Sequence, residues 1–333
     1  MVAALKKIVP EDFSGRFSAW WEGREYSAPI DGEAATNSND NDDDVEGAEA
    51  ASPPSAQTKP APTKAAKPQP KSPQQILSPE ASRIAAVETL WGEGRLSPGS
   101  SALYSRITEG MSALDNGSER LFGALNTDPA LTQHVMGTSG ACPVVSEWRL
   151  PCIRRFEDAF PDFEVLRGDL DRPAFEPGSL ALLVSQDGYA YSDHKSGLAV
   201  RAYRSLEPGG QWIVIDTVRG AARGRLEPAF ASSWAEPQLC DSAEIIEISE
   251  AAGFELSSDE DDVTGDVIQA SRSAFERFGQ DIEKRLSASL EAVNKQVFMR
   301  ELAWEAEAWK WRQRALAGEL IHVKVWKFRK PSA

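Results

Sequence analysis

Two short apolar runs constrain this chain more than any other feature. Leu180 to Ser185 reads LALLVS, and Gln211 to Asp216 reads QWIVID. Neither alternates between apolar and polar residues. Each therefore reads as a strand covered on both faces, which is the habit of parallel sheets. Parallel neighbours need a crossover, commonly a helix. One stands between them, because Lys195 to Ser205 carries a helical pattern. Strands and helices alternate on either side at similar spacing, which predicts an α/β protein with a doubly wound parallel sheet.

The remaining elements follow from the same rules. Ser78-Pro79-Glu80 opens a helix to about Leu90, and a second covers Ser101 to Glu109. Strands are expected at Ser112 to Asp115, His134 to Thr138 and Phe163 to Arg167. Helices are expected at Glu119 to Leu125 and Val145 to Phe160. Glu244 to Ala252 reads as a helix, followed by a strand from Phe254 to Ser257. Residues 267–316 hold no proline and one glycine, Gly279. Fifty residues is long for one globular helix, so two or more helices should cover the sheet there, with a homodimer contact left open. Ile321 to Phe328 (IHVKVWKF) alternates cleanly and reads as a last, antiparallel strand.

The N-terminal quarter is different text. Within residues 11–26, Phe13, Phe17, Trp20 and Trp21 form one helical stripe. A helix that short is marginal alone in water, so residues 1–30 should bury it on the main domain or on a protein partner. Residues 31–77 are rich first in Asn, Asp and Glu, then in Pro, Ala, Lys and Ser. They bury too little apolar area to offset ordering entropy and are expected to be a disordered linker. The folded domain then spans 78–333.

Charge follows that division. The formal net charge is −15. Residues 31–50 carry −8 and residues 51–79 carry +4, leaving −11 on the last 254 residues. An acidic domain argues against nucleic acid as a partner. No apolar run reaches the 18 residues or so that a membrane span needs. The three cysteines, Cys142, Cys152 and Cys240, form no C-x-x-C pair, which points to a reduced, cytoplasmic protein without a structural metal. The acidic run Asp259 to Asp262 lacks calcium-loop spacing and reads as a solvated loop.

The segment Asp169 to Asp216 resembles the second half of a class I S-adenosylmethionine-dependent methyltransferase. It has Gly168-Asp169, then Pro173, a strand ending in Ser185, a helix, and the turn Leu206-Glu207-Pro208-Gly209-Gly210. Proline stops the helix there, and glycine permits a positive φ on the way back into the sheet. Two further stretches narrow the likeness to the phosphoethanolamine methyltransferase-like group. They are Leu90-Trp91-Gly92-Glu93-Gly94-Arg95-Leu96-Ser97-Pro98-Gly99 and the tail from Trp309 to Pro331. The resemblance implies a Rossmann-like, seven-stranded, mostly parallel sheet over about residues 80–333. It also implies S-adenosylmethionine as cofactor and a small-molecule substrate.

Carried over residue by residue, the resemblance places Asp115, Gly117, Asp169 and Ser185 around the cofactor and Asp187 at the substrate. A carboxylate at that last position would favour a cationic amine. The sequence departs from the family twice. After the expected first strand the run is Asn116-Gly117-Ser118-Glu119-Arg120-Leu121, with glycine at one position only. After the expected second strand, Thr138 and Ser139 stand where a carboxylate should accept ribose hydroxyls. Two functions therefore stay open. One is an active methyltransferase acting on a small molecule, with amines the favoured class. The other is a pseudoenzyme with weakened or lost cofactor binding, acting as a scaffold or binding module through residues 11–26.

Overall fold

The computed structural model describes residues 77–332 apart from 112–113, 115–118, 223, 234–237 and 290–292. The segments read as an N-terminal helix (11–26) and a linker (31–77) thus lie outside the described residues, save Leu77. At the centre is an eight-stranded sheet of order β3-β2-β1-β4-β5-β8-β6, with β7 pairing β8 off that line. The first five strands in that order run parallel: β1 is Leu121–Leu125, β2 Cys142–Glu147, β3 Glu164–Arg167, β4 Leu180–Gln186 and β5 Leu206–Arg219. The last strand, β8 (Ile321–Arg329), is antiparallel to β5, and the short strands β6 (Glu255–Leu256) and β7 (Asp261–Asp262) are antiparallel to β8.

The buried strands explain the two layers of core. Ile213 and Ile215 of β5 face one layer together with Leu182, Val184, Val323 and Val325. Trp212 and Val214 face the other with Leu183, Trp326 and Phe328. Successive side chains alternate across the sheet, so an unbroken apolar run supplies both layers at once.

The helices are α1 (Pro79–Trp91), α2 (Ser101–Ile107), α3 (Pro129–Ser139), α4 (Leu150–Ala159), α5 (Gly188–Tyr191) and α6 (Lys195–Ser205). They continue with α7 (Pro228–Ser233), α8 (Ser242–Ala251), α9 (Thr264–Ser289) and α10 (Lys295–Ala317). The C-terminal pair α9 and α10 is the expected helical layer. Asn294 starts its second member by accepting from the Val297 N–H at 3.3 Å.

Three expectations are corrected. Glu119 to Leu125 is no helix, since Leu121–Leu125 forms β1; the strand expected at Ser112 to Asp115 falls on residues of which only Leu114 is described. The five residues of β1 pair with β2 on one side and, with a register shift after Leu121, with β4 on the other, which a central strand requires. His134 to Thr138 is not a strand but part of α3. Asp128 caps that helix by accepting from the Leu131 N–H at 2.7 Å, Pro129 occupies its first turn, and Gly140 ends it at φ 74°. Val145 to Phe160 is not one helix. Strand β2 runs to Glu147, and Pro151, which cannot sit inside a helix, lies in the first turn of α4. The acidic loop also gains structure, since Asp261 and Asp266 clamp Arg106 of α2.

The Pro208-Gly209-Gly210 turn stands as read. Gly209 has φ 80°, and its N–H donates to the Lys330 carbonyl at 2.9 Å. Gly209→Ala is expected to cost about 1–2 kcal/mol through left-handed strain. Urea unfolding measures it, and an unchanged midpoint would remove the argument.

Candidate functional site

Strand order reverses between β1 and β4, so their crossovers leave in opposite directions. A crevice opens there at the carboxyl ends of the strands, the usual ligand position in open α/β sheets. This protein has a cavity of about 190 Å³ at that place. Its floor is the turn after β1 (Asn126, Thr127, Asp128), its sides are Arg149 and Gln186-Asp187, and α10 covers it.

The turn after β1 reads Asn126-Thr127-Asp128-Pro129-Ala130 and holds no glycine. Asn126 takes φ 55° and donates from Nδ2 to the Gln186 carbonyl at 2.8 Å, tying β1 to β4. Asp128 is buried. Besides capping α3 it accepts from the Leu96 N–H at 3.3 Å, which draws the 92–99 loop over the crevice. Burial pushes its carboxyl up to about 6. Gln186 Nε2 also donates to Ser97 Oγ at 3.0 Å, so both divergent strands hold that loop down.

An acid does end the second strand: Glu147, fully buried. It is closed on itself. One oxygen accepts from the N–H groups of Trp148 and Arg149 and from Arg149 Nε, at 2.8–2.9 Å. The other accepts from Arg149 Nη2 at 2.7 Å. The acid expected near Thr138 or Ser139 therefore stands at Glu147, a difference of register. The carboxylate is present but engaged by the residue two positions on.

Asp187 lies at the cavity in a left-handed conformation, φ 48°. It accepts from Thr217 Oγ1 at 2.7 Å and from Arg312 Nη2 at 3.2 Å. Arg312 donates to Thr217 Oγ1 as well, at 2.7 Å, and lies 4.6 Å from the Trp309 ring centroid. The side chains of Arg312 and Asp187 are only 8% and 12% exposed. Behind them, Asp216 accepts three backbone N–H groups, and burial followed by the neighbouring Asp187 lifts its carboxyl well above the usual range. An ion pair this enclosed already answers the charge of Asp187, so an incoming ammonium would meet Arg312 beside it.

The other expected residues lie elsewhere. Ser185, one residue before the cavity, points to the opposite layer and accepts from Trp212 Nε1 at 3.0 Å. Asp169 is exposed and closes a turn by accepting from the Asp171 and Arg172 N–H groups at 2.7 and 3.1 Å. Asp115 and Gly117 lie outside the described residues, and they precede β1 rather than follow it. None of the three histidines lines the cavity. Among the described residues, no group of three or more His, Cys, Asp or Glu could hold a metal. No described helix is long and apolar enough to cross a membrane.

Sequence reasoning missed Glu147, Arg149, Glu305, Trp309 and Arg312. The last three fall at i, i+4 and i+7 on α10, one helical stripe carrying an acid, an aromatic ring and a base. That stripe was readable. Its partners, Trp91 and Asp187, lie 214 and 125 residues away in sequence.

No family model and no curated protein matches the chain. Solved structures do. Phosphoethanolamine N-methyltransferase 2 of Haemonchus contortus, solved with phosphomonomethylethanolamine and S-adenosylhomocysteine, superposes with TM-score 0.63 at 18% identity. The match covers 76% of this chain and 58% of that one. The fold is that of the class I methyltransferases. The cyclopropane synthase MmaA2 of Mycobacterium tuberculosis shares it, with TM-score 0.55, 14% identity and coverage of 78% and 97%. So does the [4+2]-cyclase SpnF, with TM-score 0.53, 14% identity and coverage of 78% and 98%. Neighbours of such different names share one fold, so the site, not the fold, must argue function.

Proposed function

We propose that this chain is a methyltransferase-fold binding protein with weakened or lost S-adenosylmethionine binding. The observation that carries the reading is the Glu147–Arg149 closure. A ribose needs a carboxylate that faces it, and Glu147 already accepts four N–H groups from its own chain. Two facts support it. The turn after β1 presents side chains where backbone must approach the donor. The cavity, about 190 Å³, falls below the 300–1,000 Å³ typical of pockets for drug-sized ligands. These residues do not fit an adenosyl donor, and no methyl-transfer step is derived from them.

A second reading, an active methyltransferase on a small amine, draws on Glu147 itself, an acid at the end of β2. Calorimetric titration of the full chain with S-adenosylmethionine and S-adenosylhomocysteine separates the two. No binding at millimolar concentration is expected, and micromolar binding would establish the second reading instead. The binding-module role includes a protein partner for residues 11–26. A pull-down with residues 1–30 deleted should lose that partner, and an unchanged set of captured proteins counts against it.

A further inference from the structure

We propose that the outer face of α10 is a docking surface, and that its occupant is the acidic segment 31–50 of the same chain. The surface lies on the side of the helix turned away from the crevice, so it is independent of what the crevice binds.

The helix itself defines the face. Glu305, Trp309 and Arg312 line the cavity. Away from it, Arg300, Trp304, Glu307, Trp311 and Arg314 recur at spacings of four and three, one continuous stripe. Trp304 is 54% exposed, and Met299 of the same helix is exposed as well. Large apolar side chains grouped in water mark an interaction surface more often than single ones do. The half-buried Trp311 carries two cations at its ring, Arg314 at 4.9 Å and Lys310 at 6.0 Å from the centroid. Its Nε1 donates to Glu307 at 2.7 Å, which engages the acid of the stripe.

The bases of this face keep charge to offer. Arg300 and Arg314 are exposed and form no ion pair among the described residues. Arg83, Arg154 and Arg155 differ, because they meet Glu301, Glu80 and Glu88. Arg300, Lys310 and Arg314 thus stand with indoles between them on a folded part whose net charge is −11. Such a face is complemented by an anionic stretch of chain.

Three facts favour residues 31–50 as that stretch. They carry eight acids and no base. The chain that bears them enters the domain beside α10, since the Asn294 N–H at the start of that helix donates to Ser82 Oγ of α1 at 2.9 Å. The length suffices: α10 has 23 residues and spans about 35 Å, while the roughly 28 residues from Glu49 to Leu77 reach about 90 Å extended. A tether of this kind supplies an effective concentration on the order of mM, so several weak surface pairs suffice together. The rival occupant of the acids is the lysine group Lys59, Lys64, Lys67 and Lys71, which is nearer in sequence but has no aromatic residue among its members. Because residues 11–26 precede the acidic segment, docking also sets where that helical stripe is presented.

The experiment is zero-length carbodiimide cross-linking of the full chain, which joins carboxylates to lysine amines in contact, with the products mapped by mass spectrometry. Acids between Asp40 and Glu49 should join Lys310 and Lys295 of α10. The yield should fall about fivefold between about 0.05 M and 0.5 M salt, where the screening length shrinks to about 4 Å. The double variant Arg300→Glu with Arg314→Glu should lose these products about fivefold and keep those to Lys59, Lys64, Lys67 and Lys71. Both side chains are exposed, so the variant should fold, and a circular-dichroism melt checks it; the salt series on wild type carries the same test without a variant. Mixing ¹⁵N-labelled with unlabelled chain shows whether each product lies within one chain. Products confined to the linker lysines, or spread equally over Lys195, Lys327 and Lys330, overturn the proposal. Products that join labelled to unlabelled chain make the occupant a second copy and overturn docking in cis. Binding to phosphatidylserine vesicles that is lost in Trp304→Ala, with no product on α10, makes the face a membrane surface and overturns it as well.

Discussion

Arg312→Met should destabilise the protein by about 3–5 kcal/mol, the cost of leaving a buried charge without its partner. Arg312 is the cation that meets Asp187, and both side chains are almost enclosed. Removing it leaves Asp187 with one hydroxyl donor, Thr217, and with the carboxyl of Asp216 close behind. The loss of stem packing is small, because methionine fills much of the same space beside Trp309. The double variant Asp187→Asn with Arg312→Met should recover most of the loss, since asparagine tolerates the left-handed φ of 48° and carries no charge. Urea unfolding of wild type, both single variants and the double variant gives the coupling energy. A single variant that loses less than about 1 kcal/mol would show that the pair is solvated and the cavity open.

The second large effect is a change of stability with pH. Glu305 has a folded value of about 7, against about 4.3 for an exposed glutamate. Between those values the folded state holds a proton that the unfolded state has released. Stability therefore falls as pH rises through the window from about 4.3 to 7, and the loss is complete above 7. The size is about 3–4 kcal/mol, since each pH unit between the two values is worth about 1.36 kcal/mol. Glu305→Gln cannot ionise and avoids that loss. It should match wild type near pH 4.5 and exceed it by about 3–4 kcal/mol at pH 8. Denaturation curves at both values measure the difference. A constant difference across the range would mean that Glu305 is hydrated and ordinary.

These two side chains show where sequence reading reached its limit. The parallel core was legible because LALLVS and QWIVID state their environment directly: a strand apolar on both faces has nowhere to be except inside. The first strand was not, because LFGAL is short, contains a glycine, and follows charged residues that mimic a helix start. Its identity depends on neighbours, Cys142 to Ser146 on one side and Leu180 to Ser185 on the other, which only pairing reveals. Reading that strand as a helix moves every expectation that counts from it. Asp115 and Gly117 are then assigned to a turn that lies about ten residues further on, and Glu147 falls within an expected helix.

By itself, then, the sequence determined the doubly wound sheet, the crossover helix 195–205, the Pro208-Gly209-Gly210 turn, the C-terminal helical layer and the antiparallel last strand. All of these rest on local periodicity, burial and backbone freedom, which a chain carries in its own order. The tertiary structure alone decided what stands in the crevice. Closure of Glu147 by Arg149, pairing of Asp187 with Arg312, and the setting of Glu305 among indoles depend on distances between groups that local periodicity does not connect. Electrostatic energy follows those distances and the burial around them, and neither is written in the spacing of residues.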